Sequence, residues 1–270
     1  MDSLPPIPEG SENSDWKVVE ERIINFVRDV VEKAKADGVV VGISGGLDSS
    51  VTLALCVRAL GKDRVLGIAM PTSFTPKDDL EDALKLAEAL GIKAYIVPID
   101  PIIDAFEKQL PLKPKDRLVL GNLRARVRMV ILYYFANNLN YLVAGTGDRS
   151  EILIGFYTKY GDGASDFMPI AHLYKTQVRK LASHLGLPMK IVLKPSSPQL
   201  WPGHKLKDEL PEDYEVMDPI LQHLFDKRLE PKEVSEILKV PIELVRLLED
   251  RYKRTSHKRR MPLTIFDSER

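Results

Sequence analysis

Residues 39–50 have the sequence VVVGISGGLDSS, in which a β-branched apolar run, a glycine-rich loop and the start of a helix follow one another. The apolar run at 39–43 predicts a strand that is buried on both faces. Residues 51–60 predict a helix that ends at Gly61. A strand, a loop and a helix in this order are typical of an open parallel α/β sheet, in which ligands bind at the carboxyl ends of the strands.

Strands and helices alternate on both sides of this stretch. Apolar runs predict further strands at 65–70, 92–99 and 141–144, and helical periodicity predicts helices at 15–36, 78–90, 101–109 and 117–137. The alternation predicts an α/β fold with a Rossmann-like parallel sheet of about five strands flanked by helices. Glycines cluster between 145 and 163, and later helices are predicted at 175–185, 213–228, 231–239 and 241–254. We expect a helical C-terminal extension on a single domain of residues 15–270, preceded by a flexible tail of residues 1–14.

Composition limits the functional classes. The 270 residues include 39 basic and 39 acidic side chains, so a surface devoted to nucleic acid or anionic lipid is not expected. No apolar run is long enough to span a membrane, and the first residues do not resemble a signal peptide. The single cysteine, Cys56, cannot form an internal disulfide, which is typical of a reducing cytoplasm.

The glycine-rich loop is suited to phosphate. Its glycines allow a ligand to approach the main chain, its serines supply hydroxyl donors, and free N–H groups at the start of a helix favour an anion. Asp48 would repel phosphate unless a divalent cation joined the two, and Mg²⁺ is commonly held by one or two carboxylates together with phosphate oxygens. The loop is not a Walker A motif, because the GxxxxGK[ST] pattern is absent.

The string SGGLDSS resembles the pyrophosphate loop of the N-type ATP pyrophosphatases, which split ATP between its α and β phosphates. Later motifs resemble, in order and spacing, those of the ammonia-dependent NAD synthetases within that group. They are GNLRAR at 121–126, GTGDRSE at 145–151, TKYGDGASD at 158–166, LYK at 173–175, KPSS at 194–197 and SHKRRMP at 256–262. The resemblance covers almost the whole chain. Many members have TDHAAE where this chain has TGDRSE, and Ser197 stands where a threonine is common.

The resemblance implies a role for each matching residue. ATP would contact Gly42, Ile43, Ser44, Gly45, Gly46, Leu47, Asp48, Ser49, Thr146, Lys175 and Ser197. Nicotinic acid adenine dinucleotide (deamido-NAD) would contact Arg126, Lys159, Asp166, His257 and Lys258. Asp48 and Glu151 would hold Mg²⁺ and, with Lys175, form the catalytic set. The family is homodimeric, and its dinucleotide site lies close to the subunit interface.

The implied reaction is the last step of NAD biosynthesis, in which the nicotinate carboxylate attacks ATP and ammonia then converts the adenylate to an amide. Glutamine-dependent members carry an additional amidase domain, and only 38 residues precede the first predicted strand here, so free ammonia is the expected nitrogen donor. Two alternatives remain open at this point. One is another ATP pyrophosphatase, of the GMP synthetase or tRNA-modifying type, and the other is a non-catalytic sensor of adenine nucleotides. The basic end at 251–260 is also compatible with nucleic acid, but the neutral total charge argues against that reading.

Overall fold

The computed structural model describes residues 15–262 and 264–265, so the prediction for the tail of residues 1–14 lies outside the described residues. Four parallel strands form one sheet in the order β3-β2-β1-β4. They are β1 (Gly38–Gly42), β2 (Val65–Ala69), β3 (Lys93–Ile96) and β4 (Tyr141–Ala144). The predicted parallel α/β fold is confirmed. The boundary of a single domain at 15–270 stays a prediction.

The sheet has four strands in the described part of the chain, one fewer than the number expected. Where a fifth strand would lie beside β4, Phe167 forms a single parallel bridge with Ala144. The main-chain N–H of Val143 donates to the side chain of Asp166 (Val143 N to Asp166 Oδ2, 2.7 Å) instead of to a neighbouring carbonyl. Because a side chain takes the place of a ladder hydrogen bond, the pairing does not extend into a strand.

Eleven α-helices surround the sheet and form the C-terminal extension in the described part of the chain. They are α1 (Trp16–Lys33), α2 (Leu47–Leu60), α3 (Lys77–Ala89), α4 (Asp100–Gln109), α5 (Arg117–Leu139), α6 (Arg149–Ile154), α7 (Lys175–His184), α8 (Met189–Val192), α9 (Tyr214–Leu221), α10 (Pro231–Leu238) and α11 (Ile242–Arg254). The nine predicted helices are all present, but the helix predicted at 213–228 changes at Leu221 into a π-helical turn, Gln222–Asp226. The short helices α6 and α8 were not predicted.

The predicted burial of the first strand is confirmed. Val39, Val40 and Val41 are each 0% exposed. Their side chains alternate between the faces of the sheet, as strand geometry requires. Val39 and Val41 belong to a core that includes residues of α1, α2 and α7, whereas Val40 packs in a second core with residues of α5.

A third core joins the C-terminal extension to the end of the sheet. It contains Ile154 of α6, Met217 of α9, Val234 of α10 and Leu248 of α11, each 0% exposed. The predicted extension is therefore anchored on α6, the helix that carries Glu151. Within the described ranges, no helix is both long and apolar enough to cross a membrane.

Candidate active site

The glycine-rich loop connects β1 to α2 at the carboxyl edge of the sheet. Gly46 is the N-cap of α2 and provides no side-chain hydrogen bond to the helix, so the first N–H groups of α2 remain available to an anion. The Ser44 and Ser49 hydroxyl oxygens lie 3.1 Å apart, and Ser50 Oγ donates to Gly46 O at 2.7 Å. These hydrogen bonds hold the loop in a compact turn around the helix start.

Lys194, which belongs to the predicted KPSS motif, connects this loop to α3. Lys194 Nζ donates to the carbonyl oxygen of Gly45 at 2.8 Å and also binds Asp79 Oδ1 at 2.8 Å and Asp82 Oδ2 at 2.7 Å. Gly45 has φ +73°, and a Cβ there would overlap with the carbonyl oxygen of Asp79. Glycine at this position allows both the left-handed backbone and the close approach of α3.

Lys175 lies at the centre of the site, and its side chain is 1% exposed. Its Nζ is 2.6 Å from Asp48 Oδ2, 2.9 Å from Asp148 Oδ2 and 3.0 Å from Glu151 Oε1. The three predicted catalytic residues, Asp48, Glu151 and Lys175, are therefore in direct contact, although they come from α2, α6 and α7. The ring of Tyr214 lies 5.2 Å from the same Nζ.

The charged groups of this cluster shift one another's pKa values. Burial opposes the charge on Lys175, but the carboxylates of Asp148, Asp48 and Glu151 outweigh it and raise the pKa of the ammonium well above its usual value. Burial raises the pKa of Glu151, and the Lys175 ammonium opposes that rise. Burial likewise raises the pKa of Asp148 to about 7. A divalent cation bound to these carboxyl groups would favour their ionised forms.

The donor set fits Mg²⁺. One ligand oxygen from each of Asp48, Asp148 and Glu151 lies within 4.8 Å of the others. Asp48 Oδ1 is buried without a hydrogen-bond partner, and Asp148 Oδ2 is buried with only its ion pair to Lys175. Carboxylate oxygens are the ligands that Mg²⁺ prefers, and buried unpartnered oxygens are costly unless a cation or donor reaches them.

The helix that carries Glu151 is short, and both of its ends are held. Asp148 is its N-cap and forms a capping box with Glu151, in which Asp148 Oδ1 accepts from Glu151 N at 2.9 Å. At the other end, side chains of three basic residues bind main-chain oxygens of residues 152–155. The donors are Arg251 to Ile154 O (2.9 Å), Lys258 to Gly155 O (2.7 Å) and Arg259 to Ile152 O and Leu153 O (both 3.2 Å). Positive charge at the carboxyl end of a helix is stabilising.

Three predicted motifs converge on the segment 155–163, which follows α6. Thr158 Oγ1 donates to Asn122 Oδ1 of α5 at 2.7 Å, and Arg126 Nη2 donates to Lys159 O at 3.2 Å. From the other side, Lys258 Nζ donates to Tyr157 O at 2.6 Å. Arg126, Lys159 and Lys258, three of the predicted dinucleotide contacts, therefore lie around one segment.

Four further residues were predicted to contact ATP or the dinucleotide: Asp166, Thr146, His257 and Ser197. Asp166 uses both carboxylate oxygens within the protein, accepting from Val143 N at 2.7 Å and from Tyr133 Oη at 3.2 Å. Thr146 lies in the turn between β4 and α6, and His257 is exposed. Ser197 Oγ donates to His204 O at 2.7 Å and lines a cavity of about 800 Å³ that Tyr214 and Arg179 also line. The roles of these residues remain predictions.

Sequence reasoning did not identify Asp148, whose carboxylate is fully buried against Lys175. The motif GTGDRSE predicted roles for Thr146 and Glu151 but none for Asp148. Asp148 and Glu151 have the spacing of a capping box, which could have identified both the cap and α6. Lys194 lies in the predicted KPSS motif, but no role was predicted for it, and Asp218 was not predicted at all. The contacts of both residues join distant parts of the chain.

The fold is a parallel α/β sheet with an uncapped glycine-rich turn after its first strand. Carboxylates and a lysine lie beside that turn, an arrangement typical of nucleotide-binding α/β proteins. The family model described as NAD synthase matches residues 19–262. The chain belongs to the NAD synthase family. The predicted class, a ligase of NAD biosynthesis that forms a C–N bond, is confirmed.

Curated relatives agree with the family model. The NH(3)-dependent NAD(+) synthetase of Hyperthermus butylicus is 53% identical over 249 residues, which are 92% of this chain and 90% of the relative. That of Methanocaldococcus jannaschii is 48% identical over 255 residues, or 92% of this chain and 98% of the relative.

Solved structures are also similar. The NH3-dependent NAD synthetase of Campylobacter jejuni, in complex with the nitrate ion, has a TM-score of 0.79 and 33% identity, covering 94% of this chain and all of that chain. The NMN synthetase of Francisella tularensis has a TM-score of 0.82 and 31% identity, covering 93% and 99%.

Proposed function

We propose that this protein catalyses the ATP-dependent amidation of deamido-NAD by ammonia, which gives NAD, AMP and pyrophosphate. The observation that carries the proposal is the contact of Lys175 with Asp48, Asp148 and Glu151 directly beside the phosphate loop. This arrangement would place a cation beside the phosphates of ATP. Family membership supports the choice of nicotinate dinucleotide as the acid that is activated.

In the first step, an oxygen of the nicotinate carboxylate attacks the α-phosphorus of ATP. The bond from the α-phosphorus to the bridging oxygen breaks, and pyrophosphate leaves with that electron pair. Two anions must approach each other, and two unit charges 4 Å apart repel by about 4 kcal/mol at an effective dielectric of 20. The N–H groups at the start of α2 and the ammonium of Lys175 would hold the phosphates and oppose this repulsion.

Asp48, Asp148 and Glu151 would hold Mg²⁺, so Asp148 joins the two predicted ligands, Asp48 and Glu151, as a third candidate. When bound, Mg²⁺ would neutralise charge on the phosphate oxygens and on the leaving pyrophosphate. Lys175 is fixed by the same carboxylates, so its ammonium is positioned before any substrate arrives. This pre-organisation is the main contribution of the chain's own residues.

In the second step, ammonia attacks the carbonyl carbon of the adenylate. The carbonyl carbon loses its bond to the AMP oxygen, and one proton is released as the amide forms. We propose that the segment 155–163, held by Asn122, Arg126 and Lys258, positions the nicotinate end of the dinucleotide. No side chain is assigned as a general base.

The adenylate can be tested without ammonia. With labelled pyrophosphate, ATP and Mg²⁺, we expect the label to enter ATP only when deamido-NAD is present, because the first step is then reversible and isolated from the second. The variant Glu151→Gln should lose this exchange. Exchange of equal rate without deamido-NAD would contradict nicotinate as the activated acid.

A second candidate substrate is the mononucleotide of nicotinic acid, because the described fold is at least as similar to an NMN synthetase as to an NAD synthetase. The two candidates use the same chemistry and differ in whether an adenylyl group is present on the acid. Comparing kcat/KM for the two acids decides between them. We expect the dinucleotide to be preferred, since the chain is 44% to 53% identical to NH(3)-dependent NAD(+) synthetases.

We also propose that the protein is a homodimer. The rings of Tyr95 and Phe135 stack at a centroid distance of 5.5 Å, and Tyr134 contacts Phe135 at 5.9 Å. Tyr134 is 66% exposed and Val130, one helical turn earlier on α5, is 60% exposed. An exposed apolar surface of this kind favours burial against a second copy. Sedimentation velocity should give a dimer, and Tyr134→Lys should shift it towards the monomer.

We place the reaction in the cytoplasm. Cys56 is the only cysteine of the sequence, and it is buried and free. A protein whose fold relies on no disulfide is compatible with a reducing compartment. Fractionation of the source cells with an antibody to the protein would test this assignment.

A further inference from the structure

Asp218 is a buried carboxylate that belongs to none of the predicted motifs. It lies on α9 in the C-terminal extension and is 4% exposed. Ser150 Oγ donates to Asp218 Oδ1 at 2.6 Å, and the main-chain N–H of Thr176 donates to Asp218 Oδ2 at 2.8 Å. Both oxygens are therefore satisfied, which a buried carboxylate requires.

The residues that bind Asp218 are sequence neighbours of the site residues. Ser150 directly precedes Glu151, and Thr176 directly follows Lys175. Ser150 Oγ also accepts from the main-chain N–H of Lys175 at 2.9 Å. One carboxylate thus joins the first turn of α6 to the first turn of α7, which are the two helix starts that present Glu151 and Lys175.

The connection is suited to fixing orientation. The first N–H groups of a helix have no partner within it, and here Ser150 and Asp218 accept from the first two N–H groups of α7. The negative charge also lies at the positive end of the α7 dipole, where it is stabilising. Hydrogen bonds to the main chain fix the helix start itself, so they set where Lys175 Nζ lies relative to Asp48 and Glu151.

We propose that Asp218 is a positioning residue, which acts through Ser150 and Thr176 to hold Glu151 and Lys175 in register with Asp48 for the activation of ATP. This inference rests on the function proposed above. The C-terminal extension would then help to position the reacting groups, because its helix α9 carries Asp218. A purely structural role predicts a loss of stability alone.

The test compares Asp218→Asn and Ser150→Ala with Ser235→Ala. Ser235 is a control in the same extension, because its hydroxyl donates to Val240 O at 2.7 Å and makes no contact with α6 or α7 among the hydrogen bonds of the described residues. Three quantities are measured for each variant: the thermal midpoint, kcat and KM for deamido-NAD, and the affinity for Mn²⁺ in the presence of ATP by electron paramagnetic resonance.

We expect Asp218→Asn and Ser150→Ala each to lower kcat and the Mn²⁺ affinity by about 10- to 100-fold, the usual effect of removing a support of metal-binding or reacting groups. KM for deamido-NAD should not change. The double variant should lose little more than either single variant, because both remove the same link. Ser235→Ala should affect only the thermal midpoint.

Wild-type kcat and Mn²⁺ affinity in a folded Asp218→Asn protein would overturn the inference, as would additive losses in the double variant. If Asp218→Asn does not fold, Ser150→Ala decides by the same criteria. The Mn²⁺ measurement separates this inference from the proposed function. A wild-type protein that makes no NAD would refute that function, whereas the effect of Asp218 on Mn²⁺ binding is measured without turnover.

Discussion

Lys175 Nζ lies 2.6 Å from Asp48 Oδ2, although 127 residues separate the two in the sequence. The contact joins the first turn of α7 to the first turn of α2, which directly follows the phosphate loop. The lysine is almost fully buried, so the ion pair is shielded from water. The contact brings the glycine-rich loop and the carboxylates of Asp48, Asp148 and Glu151 together.

Lys175→Met removes the ammonium and leaves three carboxylates without their counter-charge. We expect the free energy of unfolding to fall by about 3–5 kcal/mol, the usual result of removing one partner from a buried ion pair. Because the uncompensated charge is negative, added Mg²⁺ should stabilise this variant more than the wild type. Denaturant unfolding with and without Mg²⁺ measures both effects.

Lys190→Met is the matched control. Lys190 also pairs with two carboxylates, Asp82 at 2.9 Å and Asp78 at 3.6 Å, but its side chain is 55% exposed. Water already screens this pair, so little change in stability is expected. An equal loss in the two variants would show that burial of Lys175 does not matter.

Substitutions of Asp148 separate its two roles, which are capping α6 and carrying negative charge beside Lys175. Asp148→Ser keeps a good N-cap but removes the charge, whereas Asp148→Ala removes both. We expect the alanine variant to be less stable than the serine variant by about 1 kcal/mol. Both should bind Mn²⁺ more weakly than the wild type. Metal binding unchanged in the serine variant would exclude Asp148 as a ligand.

Gly45→Ala tests the phosphate loop. The new methyl group would overlap with the carbonyl oxygen of Asp79, and the residue would keep a left-handed backbone. Gly186→Ala is the control, because Gly186 has a similar φ of +75° but open space around the position of a Cβ. The left-handed backbone costs an alanine about 1–2 kcal/mol of stability in both variants. Only Gly45→Ala should also weaken ATP binding, which calorimetry would measure.

His172 predicts a dependence of stability on pH. Burial, together with the nearby charges of Arg149 and Arg22, lowers its pKa from 6.5 to about 4. Between these two values the unfolded chain binds a proton that the folded chain does not, so stability falls as the pH drops through this window. The loss amounts to at most about 3 kcal/mol and is complete below pH 4.

The variant His172→Gln isolates this contribution. Unfolding free energies of the variant and the wild type are compared from pH 7 to pH 4, and carboxylates that titrate in the same range contribute equally to both. We expect the wild type to lose more stability than the variant as the pH falls. Parallel curves would show that His172 titrates normally.

The sheet could be predicted because its signals are local. The run 39–43, the glycine-rich turn and the helical periodicity of α5 each lie within a short window, and their structures agree with the prediction. The expected fifth strand was wrong because a side chain of Asp166 takes a main-chain position in the ladder. Such an exchange depends on the tertiary position of one residue, which no pattern of apolar residues records.

The site was predictable only in part for the same reason. Asp48, Glu151 and Lys175 were selected through family motifs, and the structure brings them together. Asp148 could have been identified from its capping-box spacing with Glu151, but Asp218 contacts Thr176 from 42 residues away. Contacts of this kind follow from how α9 packs on α6 and α7, and the sequence of α9 shows only that it is amphipathic.

The most direct test of the central claim is one incubation of the protein with ATP, Mg²⁺, deamido-NAD and ammonium, in which NAD and AMP are quantified together. The account predicts NAD and AMP in equal amounts, with glutamine unable to replace ammonium. AMP without NAD would retain the cleavage of ATP but assign a different acceptor. Tight binding of ATP with neither product would contradict the account and favour a nucleotide sensor.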